Sequence, residues 1–326
     1  MYYLSKGLKS LGLDKLGKAL AILFAIMCIG GSLGGGNMFQ VNQAFKLFEH
    51  VTGGTDSIFY GKGWLFGLIM SILVGLVIIG GIKKIAKVTD KIVPSMVVMY
   101  VLAVLIVIGL NYQEIPSAFA SIWNGALHPE GVAGGFIGVL IQGFRRGAFS
   151  NEAGIGSASI AHSAVKTKYP ASEGLVALLE PFIDTVIVCT MTALALIITN
   201  QLVVGVVLND EEGVLLTAKA LESGISWFPY VLSFAVILFA FSSMISWSYY
   251  GAQAWAYLFG RSIKATYTYK ILFCVFVIIG GAVSLGAVIG FSDAMVFAMM
   301  VPNMIGLVLL APKVMVELKR YLQNIN

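Results

Sequence analysis

The sequence predicts an all-α polytopic membrane protein, and three observations carry that prediction. Of 326 residues, 58% are hydrophobic and only 11% are charged, with a mean hydropathy of +0.90, whereas a soluble domain is about half apolar and about a quarter charged. The apolar residues fall in runs long enough to cross a bilayer as helices, about 20 residues each, rather than in the short alternating segments of a β-barrel. The lysines and arginines gather in the short segments between runs, as a membrane topology requires. The net charge of +5 is therefore a topology signal and not a nucleic-acid footprint.

Eight spans are expected, at 19–45, 63–82, 92–110, 132–165, 174–199, 227–259, 267–290 and 292–311. Lys6, Lys9, Lys15, Lys18, Lys83, Lys84, Lys87, Lys91, Lys166, Lys168, Arg261, Lys264, Lys270, Lys313, Lys319 and Arg320 lie in alternate loops, which the positive-inside rule makes cytoplasmic. The opposite loops hold Lys46, Lys62 and Lys219 among the acids Asp56, Glu114, Glu130, Asp210, Glu211 and Glu212. With eight spans the alternation holds at every loop and both termini are cytoplasmic. Residues 1–18 are polar and lysine-rich, without a signal-peptide cleavage pattern.

The first span ends in the glycine-rich stretch GGSLGGGNMFQVNQAF. Glycines permit close helix approach. Asn37, Gln40 and Gln43, three residues apart, are expected near one helix face. Either they bond to neighbouring helices, or Gln40 faces a polar cavity and touches solute. Residues 111–131 place Ile115, Phe119, Ile122 and Trp123 at helical spacing, which reads as a short interfacial helix. Within 201–226, LLTAKALES reads as another surface helix.

The fourth span is the centre of the chain. Gly143–Ser163 reads GFRRGAFSNEAGIGSASIAHS, with Arg145, Arg146, Asn151 and Glu152 inside an apolar region and glycines at 143, 147, 154 and 156. A charge at the centre of a bilayer costs a few kcal/mol or more and is rarely kept without a use. The composition predicts a broken helix: one half over 132–143, a second over 151–165 capped by Ser150, and FRRGAFS between them. Carbonyls of one half would suit Na⁺ or an ammonium group and amides of the other a carboxylate, so the pair suits a zwitterion. Arg145 or Arg146 pairing with Glu152 would hold the break.

The fifth span begins with Glu180, Pro181 and Asp184, which read as buried carboxylates that act in a proton relay or pair with nearby hydroxyls or basic residues. In the sixth, Phe239, Ser242 and Ser243 can bring a carbonyl and two hydroxyls to one point, a hard-ligand set for Na⁺; membrane serines also bond back to their own helix. Cys28, Cys189 and Cys274 sit in apolar spans at unrelated spacings and read as small buried thiols. His50, His128 and His162 have no ligand spacing, and no nucleotide-binding or hydrolase motif appears. Nothing argues for an ATPase or an intramembrane hydrolase, and no cofactor is expected.

The stretch 143–163, with GNMFQVNQAF at 36–45, EPFIDTVIVCT at 180–190 and FAFSSMISWSYYG at 239–251, resembles the sodium:alanine symporter family, also called the alanine/glycine:cation symporters. The resemblance implies a LeuT-type five-plus-five inverted-repeat fold and Na⁺-coupled symport of small neutral amino acids across a bacterial inner membrane. By position it implies substrate contacts from Gln40, Gly147, Phe149, Ser150 and Asn151, and a Na⁺ site at Phe239, Ser242 and Ser243. Residues 1–131 would then be three spans of the first repeat, 132–312 the five spans of the second, and 313–326 a cytoplasmic tail, all within one transmembrane domain. Only three spans precede the helix that opens the second repeat, where the family has five. The chain is therefore expected to lack about two N-terminal helices, with a non-transporting fragment that needs a partner segment, or a proton-coupled transporter, as the alternatives.

Overall fold

A computed structural model describes residues 1–127, 135–202 and 213–325. His128, Glu130, Asp210, Glu211, Glu212 and the start of the expected span at 132 lie outside the described residues. Among the described residues the regular structure is all helix, with no strand. The helices are α1 (Asp14–Leu33), α2 (Phe39–Val51), α3 (Gly63–Ile78), α4 (Gly81–Leu110), α5 (Ile115–Leu127), α6 (Gly135–Asn151), α7 (Ala158–His162), α8 (Pro170–Ala177), α9 (Leu179–Pro181), α10 (Thr190–Ile198), α11 (Gly213–Gly224), α12 (Phe228–Phe259), α13 (Ile263–Ala282) and α14 (Leu285–Ile325). Beside the π-helical turn Tyr3–Gly7 before α1, two π-helical segments, Gly34–Met38 and Phe182–Cys189, join α1 to α2 and α9 to α10.

Six helical stretches are long and apolar enough to cross a membrane: Asp14–Val51, Gly81–Leu110, Pro170–Ile198, Phe228–Phe259, Ile263–Ala282 and Leu285–Asn324. The chain is thus a multi-pass helical membrane protein. Of the other expected spans, 63–82 is the shorter apolar helix Gly63–Ile78, and 132–165 is α6 followed by an interruption. Half of the most apolar stretch of α1–α2 and of α12 is buried, against 22% for α4 and 17% for α8–α10. The first two are therefore the inner helices, and the others spend their apolar surface outwards.

Three clusters form around α12. Met244, Phe273 and Val74 join it to α3 and α13. Ala254, Phe24 and Met299 join it to α1 and α14. Leu232, Val107 and Leu221 join it to α4 and α11. Both surface segments read as helical from sequence are helices, α5 and α11. Trp123 on α5 is exposed, and α11 buries Ala218, Ala220 and Leu221.

The final pair of spans turns earlier than the hydropathy suggests. α13 ends at Ala282 and α14 starts at Leu285, rather than near 290. Asn42, buried on α2, explains the position: its Nδ2 donates to Val283 O at 2.8 Å and Gly280 O at 3.2 Å, satisfying carbonyls that a helix end leaves orphaned. Contacts across the ends pair Lys313 with Ser10, Lys270 with Ile79 (3.3 Å) and Tyr169 with Tyr321 (ring centroids 5.7 Å). Each pair joins two segments that the charge pattern assigns to one face.

Several local expectations are corrected. Asn37, Gln40 and Gln43 each make a separate hydrogen bond. The π-helical register of Gly34–Met38, in which Phe39 N–H donates to Gly34 O, widens the turn that carries Asn37. Asn37 donates to Phe273 O at 2.8 Å, Gln40 to Gly35 O at 3.0 Å, and Gln43 Oε1 accepts from Val214 N at 3.4 Å. Cys28 is buried, but Cys189 is exposed, because the π-helical segment carrying it lies at the periphery. Glu180 is likewise exposed rather than buried, its side chain at 55% relative accessibility.

Candidate functional site

The interruption in the fourth span is real but lies later than the composition suggests. FRRGAFS is helical, within α6. The helix stops after Asn151, and Glu152, Gly154 and Gly156 all take positive φ, at 57°, 81° and 101°. Ser150 therefore does not cap the second half, and that half is the short α7 alone. Gly154 and Gly156 adopt left-handed backbone, which glycine does without strain, whereas Gly143 and Gly147 sit in regular helix. Glu152 carries a side chain into the same region, at a cost of roughly 1 kcal/mol.

The freed backbone groups have partners. Asn151 Oδ1 accepts from Ala153 N at 2.8 Å. Asn303 Nδ2, from α14, donates to Gly154 O at 2.8 Å, and Tyr3 OH donates to Asn303 Oδ1. Asn303 is buried, and its amide pins the break to α14.

A cavity of about 360 Å³ opens against the break, lined by Gly35, Phe39, Gln40, Phe149, Ser150, Glu152, Ser243, Trp247 and Val296. It collects residues from the π-helical segment Gly34–Met38, α2, α6, the break, α12 and α14. Phe39 and Phe149 meet edge to face with ring centroids 5.3 Å apart. Trp247 Nε1 donates to Glu152 Oε1 at 2.8 Å. Gly36 is what lets the first segment lie here, since a Cβ on it would fall 2.2 Å from Trp247 Cγ.

Of the residues singled out from sequence, Gln40, Phe149, Ser150, Glu152 and Ser243 line this cavity. Gly147 does not, and a Cβ there would meet nothing within 4 Å. Asn151 does not line it either; its Nδ2 donates to Thr185 Oγ1 at 2.8 Å. Ser150 Oγ, on the cavity edge, donates to Asp184 Oδ2 at 2.7 Å, which couples the site to the π-helical segment of the fifth span. Ser242 Oγ donates to Phe239 O at 2.9 Å within α12, while Ser243, one position on, faces the cavity.

The anticipated pairing of Arg145 or Arg146 with Glu152 is absent. Both guanidinium groups turn to Asp293 on α14: Arg145 at 2.6 Å to Oδ2, with Arg146 on the same oxygen. Asp293 is buried. The helix runs intact through 145 and 146 and reverses its backbone only at 152, which carries Glu152 to the indole of Trp247 and leaves the arginines facing α14. Arg146 also lies over the Phe149 ring, 5.3 Å from its centroid. Sequence reasoning missed Asp293, Asn303 and Trp247. A lone acid in the last apolar span, in a chain with two arginines inside another, was the signal for Asp293; Asn303 and Trp247 offered no comparable sign.

A family model described as the sodium:alanine symporter family matches residues 1–326. The chain is 38% identical over 322 residues to the sodium/alanine symporter AgcS of Methanococcus maripaludis, covering 98% of this chain and 68% of that protein. An uncharacterized transporter of Haemophilus influenzae is 33% identical, with 100% of this chain and 69% of that protein covered. The probable sodium/glutamine symporter GlnT of Bacillus subtilis is 31% identical, with 98% of this chain and 63% of that protein covered. The chain thus spans about two thirds of the length of these relatives. Matched from end to end, the chain belongs to the sodium:alanine symporter family, a family of membrane transporters and not of enzymes.

Proposed function

We propose that this chain is the solute-binding body of a secondary active transporter that carries small neutral amino acids, such as alanine or glycine, together with Na⁺ across the cell membrane. The observation that carries the reading is the cavity at the broken helix, bounded by two irregular segments from different spans. Discontinuous helices at mid-membrane are where transporters hold small ionic solutes. About 360 Å³ accommodates a small amino acid, and the Phe39, Phe149 and Trp247 rings leave little room for a long side chain. The names of the relatives support the class: AgcS is a sodium/alanine symporter and GlnT a probable sodium/glutamine symporter.

In this reading Gln40, Phe149 and Ser150 contact the amino acid. Na⁺ is taken by the Phe239 carbonyl and the hydroxyls of Ser242 and Ser243, the hydrogen bond between Ser242 and Phe239 giving way to the ion. The eight spans fold as a LeuT-type inverted repeat, with the second repeat over 132–312 and both termini of this chain cytoplasmic by the positive-inside rule.

The test is uptake of radiolabelled alanine into proteoliposomes, with and without an inward Na⁺ gradient. Replacing Ser242 and Ser243 by alanine is expected to raise the Na⁺ concentration for half-maximal uptake about tenfold or more, as two ion–oxygen contacts are lost. Unchanged Na⁺ dependence rejects that ion site. Uptake that follows a pH gradient without Na⁺ would favour proton coupling, for which Asp184, bonded to the cavity hydroxyl of Ser150, is the candidate carrier.

A further inference from the structure

We propose that His162, Glu173 and Glu180 form a proton-operated latch beyond the break. With His162 protonated, its two ring N–H groups tie α7 to two helices of the fifth span. With His162 neutral, one tie is lost and α7 is freed to move. The transport reading says what such a motion serves; the latch itself rests on the contacts around His162.

His162 is the last residue of α7. Its Nδ1 lies 2.7 Å from Glu173 Oε1 on α8, and its Nε2 lies 3.9 Å from Glu180 Oε2 on α9. Each ring nitrogen therefore faces a carboxylate, and the two carboxylates come from different helices. A neutral imidazole has one N–H and one lone pair, so it donates to one carboxylate and turns its lone pair to the other. An imidazolium donates to both, with charge-assisted bonds. The arrangement is complete only with the proton in place. Histidine is the side chain whose charge changes between about pH 5 and 8, so such a latch works near neutrality.

The charges around the ring favour the proton. Glu152 at the break and Asp184 on the segment Phe182–Cys189 are further acids within electrostatic range of Glu180. Among the described residues, no lysine or arginine forms an ion pair with Glu173 or Glu180. The arginines of α6 are both committed to Asp293. In the cluster that buries Ile160 of α7, α12 contributes the phenols of Tyr249 and Tyr250, α1 contributes Phe24 and the Cys28 thiol, and α14 contributes Met299 and Leu310. Further along α14, Lys313 bonds Ser10 and Arg320 pairs with Glu317 at 3.8 Å. Lys166 and Lys168 follow in the loop after α7; both are exposed, and Lys168 lies over the Tyr169 ring.

The segment is also built to move. α7 has five residues, too few for a helix to hold itself by its own hydrogen bonds. Gly154 and Gly156, both left-handed, separate it from the cavity residue Glu152. The hydroxyls of Ser159 and Ser163 bond back to Gly156 O and Ile160 O, so His162 supplies the polar tie out of the helix. Because the closed form binds the proton more tightly than the open one, lowering the pH through the histidine range strengthens closure and raising it loosens α7.

The experiment is amide hydrogen exchange of the 326-residue chain in nanodiscs at about pH 5.5 and about pH 8, on either side of the histidine range, with protection taken relative to the intrinsic rate at each pH. Peptides over 157–178 are expected to be about tenfold better protected at the lower pH, the scale of one charge-assisted hydrogen bond, while those over α13 stay within about twofold. His162→Gln, neutral at both pH values, is expected to abolish the difference. His162→Lys, charged at both, is expected to abolish it too but to keep more protection than His162→Gln at the higher pH, which a merely structural loss of the ring would not produce. Glu173→Gln, which removes the nearer carboxylate, is expected to take away more of the difference than Glu180→Gln. If the His162 variants fold poorly, the wild type and the two carboxylate variants carry the test. Equal protection at both pH values in the wild type would overturn the proposal. So would a difference that survives His162→Gln or Glu173→Gln in full, or one that α13 shares equally. An isotherm for labelled L-alanine on the same nanodiscs tests the transport reading separately. A wild type that binds alanine without pH-dependent protection of this segment keeps the transport reading and loses the latch; one that shows the protection but binds no alanine loses the transport reading alone.

Discussion

Two interruptions face each other across the cavity, and they are built in opposite ways. Gly34–Met38 never leaves the helical region: it widens to a π-helix, keeps its backbone bonded within the segment, as in Phe39 N–H to Gly34 O, and every one of its five residues is buried. Glu152–Ser157 abandons the helix, takes three positive φ values, and has backbone groups met by side chains, Asn151 on one end and Asn303 from α14 on the other. The first bends the chain by packing; the second breaks it by conformation. The first contributes shape to the cavity, through Gly35 and the Phe39 and Gln40 that follow. The second contributes charge, through Glu152. A site that needs both a close wall and an unpaired ionic group can obtain them from two differently irregular helices more readily than from two alike.

The sharpest way to break the comparison is to add one carbon to each interruption. In the π-helical segment, Gly36→Ala places a methyl 2.2 Å from Trp247 Cγ and 2.3 Å from its Cβ. The second of these is fixed to the backbone of α12, so the helices themselves must part. We expect a loss of about 3 kcal/mol, at the upper end of the range for overpacking, seen as a large fall in thermal midpoint in detergent and loss of alanine binding. At the break, Gly154→Ala meets only Met304 Sδ, at 3.5 Å, so volume is not the obstacle. Its φ of 81° is. Its expected cost is about 1–2 kcal/mol, set by backbone strain, with a smaller fall in midpoint. If Gly154→Ala proved the more damaging, the contrast between packing and conformation would be the wrong way round.

How much of this was legible in the sequence follows from the same contrast. The long apolar runs are a property of composition, and among the described residues six helical stretches of the eight expected spans are long and apolar enough to cross a membrane. That a break occurs in the fourth span was legible too, because charges and glycines together are foreign to a plain membrane helix. Its position was not. Glycine permits a positive φ without requiring one, and the choice of 154 and 156 over 143 and 147 depends on Asn303 and Trp247, some 95 to 150 residues away. The partner of Arg145 and Arg146 was hidden for a related reason. Glu152 is near in sequence, but an intact helix followed by a reversal at 152 sends the two ends of that short run in different directions, and Asp293 is nearer in space. The π-helical register was invisible as well, since a run of glycines says that helices can approach, and not how many residues fill a turn.

The smallest expected effect tests whether the site has been bounded correctly. Gly147 belongs to the same motif as Phe149, Ser150 and Glu152, and the family resemblance placed it against the solute. In the structure it lies in the regular part of α6, off the cavity lining, with no atom within 4 Å of where a Cβ would stand. Alanine is favoured over glycine in a helix interior by about 1 kcal/mol in water, and a methyl on an open face adds no clash. Gly147→Ala is therefore expected to leave the thermal midpoint unchanged or slightly raised, and alanine affinity within about twofold of wild type, where the general scatter of surface substitutions lies. The measurement is the same alanine-binding isotherm used for the cavity residues, run beside Gly154→Ala so that helix and break are compared within one motif. A loss of binding at Gly147→Ala with the fold intact would mean that the solute reaches a turn further along α6 than the cavity does. The open face beside Gly147 would then have to be counted as part of the transport path.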